Sequence, residues 1–165
     1  MLALGIDPGT AICGFGIVDM QASRLKPIHF GAILTDKSYS DQDRLAIVYD
    51  ELTNIVKQYK PDIMAVEQLF FNRNVTTAIT VGQARGVILL VAAHQKIKLA
   101  EYTPLQVKQA VTGYGRATKE QVTFMVQRLL SIKEKPRPDD VSDALAVSIC
   151  ALNSSQASCW QEYKL

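Results

Sequence analysis

Apolar and polar positions alternate from the first residues of the chain. Leu2, Leu4 and Ile6 interleave with Ala3, Gly5 and Asp7, which is the two-residue period of a strand. The strand stops at Asp7, and Pro8-Gly9 turns the chain. An apolar run over 13–18 then predicts a hairpin, and 26–35 predicts a third strand. Ser40 is placed to cap a helix, with Asp43 returning the interaction. Leu45, Val48, Tyr49, Leu52, Ile55, Val56 and Tyr59 follow at three- and four-residue spacing, so this helix covers a sheet with one face. Residues 63–68 read as a strand buried on both faces. A long helix over about 76–95 comes next, and its 87–93 segment is apolar all round. A short strand over 99–103 leads through Thr103-Pro104 into another helix. Thr118 and Gln121 form a capping box for the helix after it. Pro138 opens a last helix that is nearly apolar through Leu152, with polar, fraying chain expected after Asn153. Strands mixed with covering helices give the α/β class. The expected organisation is one domain over 1–153 and a polar C-terminal tail over 154–165.

Two of these strands end on a carboxylate. Asp7 shares a face with Ala3 and Gly5, and Glu67 shares one with Ile63 and Ala65. If the two strands are parallel neighbours, both acids emerge at one edge, where open sheets place ligands. The small neighbours of Asp7 leave room for something bulky, such as a metal or a phosphate. The last helix carries Asp140 and Asp143 three apart on one face. Acids in a first helical turn favour the helix dipole, but Asp143 lies deeper than that accounts for. Spacing alone does not choose between Asp139 and Asp140. No His or Cys joins the four acids, which argues against zinc. An all-oxygen set suits Mg²⁺ or Mn²⁺, and two such ions roughly 4 Å apart serve phosphodiester displacement.

The net charge of +2 says little, but its distribution says more. Residues 72–138 hold eleven bases and three acids, a balance of +8, against −6 for the remainder. Such asymmetry points to an anionic partner such as nucleic acid. Within it, Gly113-Tyr114-Gly115-Arg116-Ala117 is a glycine-punctuated basic loop. Lys119 sits in a first helical turn, where the dipole disfavours a cation, so an external anion is expected beside it. Phe70 and Phe71 are adjacent, and an extended segment cannot turn both to the core; one is available for base stacking. Gly82 and Gly86 would let another backbone approach the long helix, and a second subunit is the economical cover for its outer side. Three cysteines make no zinc spacing and no even disulfide framework, which fits a reducing, cytoplasmic setting. No apolar run is long enough to span a bilayer.

Five segments taken in order resemble the RuvC family of bacterial Holliday-junction resolvases. They are Gly5-Ile6-Asp7-Pro8-Gly9, Val66-Glu67-Gln68, Gly82-Gln83-Ala84-Arg85-Gly86, Val107-Lys108-Gln109 and Asp140-Val141-Ser142-Asp143-Ala144-Leu145-Ala146. The resemblance implies an RNase H-like fold, with a mixed five-stranded sheet flanked by helices. It implies a homodimer that binds a four-way DNA junction and nicks two strands symmetrically. By motif, Asp7, Glu67, Asp140 and Asp143 would be the catalytic acids, holding two Mg²⁺ or Mn²⁺ ions. Lys108 and Lys119 match lysines near the DNA backbone, and Phe70 matches an aromatic near the opened bases. Arg73 and Arg116 complete the expected DNA-contact set. The long helix matches the dimer element, which places Gly82, Gly86, Leu89 and Leu90 at the interface. A junction-binding protein and a branch-migration motor are implied as partners.

Three rivals share parts of this pattern. An actin-like or sugar-kinase-like ATPase also opens on a strand, an Asp and a Gly-Thr turn, but needs a second lobe for which 165 residues leave no room. A non-cutting RNase H-like module would lack one or more of the four acids. A nuclease for another nucleic acid shares the metal chemistry, and only the family motifs separate it.

Overall fold

A computed structural model of the chain describes residues 1–68 and 75–162, with the side chains of 75–77 and 156–162 outside the description. Strands β1 (Leu2–Asp7), β2 (Ile12–Gln21) and β3 (Arg24–Leu34) form an antiparallel meander. Helix α1 (Asp41–Tyr59) starts where Ser40 accepts a hydrogen bond from the Asp43 N–H. Strand β4 (Ile63–Glu67) pairs parallel with β1, from Ala3 opposite Ile63 to Ile6 opposite Val66. Asp7 and Glu67 are the next residues on each strand and therefore leave the sheet at the same edge. After α2 (Val75–His94), strand β5 (Lys98–Tyr102) adds parallel to β4 and completes the order β3-β2-β1-β4-β5. Helices α3 (Pro104–Thr112) and α4 (Lys119–Leu130) begin with capping boxes at Thr103/Gln106 and Thr118/Gln121. Helix α5 (Asp139–Glu162) is the longest in the chain. Its backbone continues past Asn153 to Glu162, where polar composition had predicted fraying.

The sheet separates two cores, and the alternation along β1 decides which residues enter each. Leu4 and Ile6 pack with Val48, Leu52, Met64 and Ile88 beneath α1 and α2. Ala3, Ile63 and Ala65 pack with Leu145 and Ile149 beneath α5, with α3 and α4 alongside. Asp7 and Glu67 follow the same alternation onto the α5 side.

The small residues of β1 and β2 serve α5 rather than a ligand. A Cβ at Gly5 would lie 2.2 Å from the Ala144 carbonyl oxygen, and one at Gly14 would lie 2.2 Å from that of Asp140. Only glycine lets the helix backbone rest directly on the strands. The Gly5 N–H donates to the buried Ser148 hydroxyl at 2.8 Å, and that hydroxyl lies 2.7 Å from the Gly16 carbonyl. The space beside Asp7 that the sequence reading left for a metal or phosphate is thus largely filled by helix backbone. Its consequence is that Asp140 is carried to within reach of Asp7.

Among the described residues, helix α2 is covered on one side. Ala84, Ile88, Val91 and Ala92 are buried, whereas Ile79 and Leu90 are exposed and Leu89 is half-buried. Open space surrounds Gly82 and Gly86. Tyr49 meets His94 at 2.8 Å to tie α2 to α1, and Arg85 is salt-bridged to Glu101 on β5. Among the described residues, no helix is long and apolar enough to cross a membrane.

Gly5→Ala should destabilise the fold by roughly 2 kcal/mol or more in chemical denaturation, because the added methyl overpacks a backbone contact. Gly82→Ala should leave the denaturation midpoint of the monomer unchanged or raised. Equal effects of the two would contradict the close seating of α5.

Candidate active site

Four elements converge on one edge of the sheet. Strand β1 delivers Asp7, β4 delivers Glu67, and the first two turns of α5 deliver Asp140 and Asp143. The opening residue of α4 delivers Lys119. All four acids are half-buried, and Asp139 is exposed.

The two members of the Asp139-Asp140 doublet face different surroundings. Asp139 turns outward to Lys135, 2.8 Å away, whose ammonium holds its carboxyl below the usual range. Asp140 turns inward, its backbone against Gly14, and its charge acts on Asp7. Lys119, beside which an external anion was expected, has carboxylates of the chain itself close by. The Lys119 ammonium is 2.9 Å from Asp143 and 3.9 Å from Asp139. Its hydrogen bond to Asp143 raises its pKa.

The electrostatic cost of gathering these acids is concentrated at Asp7. Burial, then repulsion from Asp143, Asp140 and Glu67, push its carboxyl up from 3.8 to about 7, with Lys119 offsetting part of the rise. Glu67 is raised in the same way, by burial and then by Asp143, against Lys108 and Lys119. Beneath them Cys13 is buried in the core, and desolvation pushes its thiol up to about 12, so it is an inert core residue.

This donor set fits a hard divalent cation. It consists of carboxylate oxygens, it carries more negative charge than one lysine neutralises, and burial with mutual repulsion pushes Asp7 up to about 7. Among the described residues, no three acids, histidines or cysteines stand close enough together to hold an ion as they are. Closing the set around an ion therefore requires side-chain movement, with Asp143 turning from Lys119.

Two cavities flank the acids. On one side, about 250 Å³ is lined by Glu67, Asp143, Lys108 and Lys119 over an apolar floor that includes Val107 and Val147. On the other, about 430 Å³ lies between the β1–β2 turn, Thr80 and Val81 of α2, and Asp140. The sequence reading found the first cavity's charged residues. It missed the second, because its walls are a turn and two uncharged helix positions with no chemical signature. Arg116 is exposed on the loop before α4. Phe70 and Arg73 lie outside the described residues.

Comparison with known proteins agrees with this arrangement. The family model for crossover junction endodeoxyribonuclease RuvC matches residues 3–151. A crossover junction endodeoxyribonuclease RuvC of Heliobacterium modesticaldum is 56% identical over 154 residues, covering 93% of this chain and 95% of the relative. One from Syntrophomonas wolfei is 53% identical over 162 residues, covering 98% and 94%. The structure of T. thermophilus RuvC in complex with Holliday junction substrate superposes with a TM-score of 0.90 at 33% identity, covering 96% of both chains. The yeast mitochondrial Holliday junction resolvase Ydc2 shares the fold, with a TM-score of 0.68 at 13% identity, covering 98% of this chain and 83% of that one. The expected RNase H-like architecture therefore holds, and the chain belongs to the RuvC family of crossover junction endodeoxyribonucleases.

Proposed function

We propose that this chain resolves four-way DNA junctions by metal-dependent hydrolysis of one phosphodiester in each of two strands. The observation that carries the reading is the convergence of four carboxylates from β1, β4 and α5 on one sheet edge, with two lysines beside them. The family match supports the substrate, since a relative of the same fold is known in complex with a Holliday junction.

Asp7, Glu67, Asp140 and Asp143 would hold the cation, two Mg²⁺ ions per site being the reading that suits in-line displacement, with Mn²⁺ as a substitute. When bound, the metal would orient the attacking water, lower its pKa and offset charge on the leaving oxygen. The protein's own groups do the rest. Lys108 and Lys119 hold phosphate oxygens of the cut strand over the acids. The glycine-seated α5 fixes Asp140 against Asp7, so ligand geometry is set by backbone contact and not by a flexible loop. Phe70 and Arg73 complete the DNA contacts at the opened bases, with Arg116 on the basic loop.

Two symmetric nicks require two sites. The uncovered side of α2, with Gly82, Gly86, Leu89 and Leu90, supports a homodimer related by a two-fold axis. A junction-binding protein and a branch-migration motor would present the substrate in the cytoplasm.

Cleavage of a labelled mobile four-way junction, beside linear duplex and an RNA–DNA hybrid, tests the reading. Paired symmetric nicks on the junction alone, abolished by EDTA, are expected. Cutting of the hybrid, or tight junction binding without nicks in Mg²⁺, would overturn it. Asp7→Asn should bind the junction as wild type does in EDTA, yet lose cleavage by at least about 100-fold, the loss typical when one charge-stabilising group leaves an active site; unimpaired cleavage would remove Asp7 from the site. Metal-free Asp7→Asn should also be more stable than wild type at pH 8. The folded-state pKa of about 7 exceeds the ordinary 3.8 of an aspartate, so wild type loses stability as pH rises between them. The gain should reach at most about 4 kcal/mol and vanish towards pH 4, as read from urea denaturation at several pH values in EDTA. Lys119→Ala should weaken junction binding and reduce the slope of log K against log salt by about 1. An unchanged slope would remove Lys119 from the DNA contacts.

A further inference from the structure

The acid cluster divides its cleft into two halves of unlike chemistry. Asp140 and Asp143 are nearly one helical turn apart, and each lines a different cavity. The Asp143 half carries Lys108 and Lys119 and suits phosphate. Among the described residues, no Lys or Arg lines the Asp140 half. Its charged group is a carboxylate, which repels phosphate. Its remaining walls are Val81, Ile12, Ala11, the Thr80 side chain and the backbone of the turn after Pro8. At about 430 Å³ it falls within the roughly 300–1,000 Å³ range of clefts that hold small ligands.

The turn side of this cavity is braced. The Thr35 hydroxyl donates to the Thr10 carbonyl at 2.5 Å, and Arg44 Nε donates to that hydroxyl at 2.8 Å. The Thr35 N–H donates to the Ala11 carbonyl at 3.1 Å. A wall held on β3 and α1 in this way keeps its shape, which selection by fit requires.

We infer that the cavity between the β1–β2 turn and α2 receives the sugar and base of a nucleotide flanking the scissile phosphate, and that Val81 and Ala11 help set which base is accepted there. The inference rests on the proposed nuclease reading and deepens it. A strand laid with its reacting phosphate at Asp7 has the lysines on one side for its backbone. On the other side it meets a partly apolar recess whose described lining holds no cation and which suits a base face. The recess touches the cluster through Asp140, so a base seated there is next to the bond that breaks. Selection at this position acts on cleavage more than on binding, because the junction arms supply most of the affinity through phosphate contacts.

The test is cleavage of junctions carrying each of the four bases at each of three positions on either side of the cut. Wild type, Val81→Ala, Val81→Phe and Ala11→Phe are compared, with junction Kd measured in EDTA. Val81→Phe should lower kcat/KM about tenfold or more, the discrimination a hydrophobic pocket typically supplies, with Kd within about twofold of wild type. Val81→Ala and Ala11→Phe should change the ratio of kcat/KM among the four bases at one flanking position and leave the other positions as in wild type. Identical base ratios in all four proteins, or equal changes at every position, would overturn the inference. If Val81→Phe does not fold, Ala11→Phe on the exposed turn decides alone. Should wild type cut a hybrid and not a junction, the junction reading fails separately, and the same base series on the hybrid still tests the recess.

Discussion

Repulsion among four carboxylates held at one edge of a sheet is the constraint on which the rest of this structure depends. Carboxylates brought together out of water resist ionisation, and the fold gathers them nonetheless. It does so with rigid parts. Two parallel strands end side by side on Asp7 and Glu67. A buried helix, seated on glycines, brings Asp140 and Asp143 over them. The strain appears as an Asp7 that titrates near neutrality and a Lys119 drawn onto Asp143. A site in this condition has a strong electrostatic preference for added positive charge.

That preference connects the chain's architecture to its chemistry. Hydrolysis of a phosphodiester needs charge stabilisation at the attacking and leaving oxygens more than it needs a covalent partner. Asp143 is ion-paired to Lys119, but an apolar strand end would be cheaper to bury than Asp7 or Glu67. Lys119 lies 2.9 Å from Asp143 and lines the same cavity as Glu67 and Lys108. Under the proposed function it would neutralise Asp143 before substrate arrives and hold phosphate afterwards.

Much of this was legible in the sequence, for identifiable reasons. The two-residue period of β1 and β4 placed both strand-end acids on one face, and the parallel register did put them at one edge. Pro104 after Thr103 and the capping box at Thr118 located two helix starts to the residue. Other features depended on contacts distant in sequence. Nothing local says that Gly5 and Gly14 are there to admit the α5 backbone, which lies more than a hundred residues away. Nothing in the spacing says that Asp139 turns to Lys135 while Asp140 turns inward. Nothing local says that Lys119 has an internal carboxylate beside it, because Asp143 is 24 positions further on. The recess by Thr80 and Val81 was not legible, since its α2 wall is uncharged and only folding brings it against the turn and Asp140.

The account stands or falls on the four acids acting as one cation site. Calorimetric titration of Mn²⁺ into the protein at pH 7, in two buffers of different ionisation enthalpy, tests this directly. Binding should release protons, because Asp7 is partly protonated there, and Asp143→Asn should weaken binding by tenfold or more, as loss of a ligand charge predicts. Binding that releases no protons and is indifferent to Asp143→Asn would mean that the ion sits elsewhere and that the carboxylates do not form the catalytic centre.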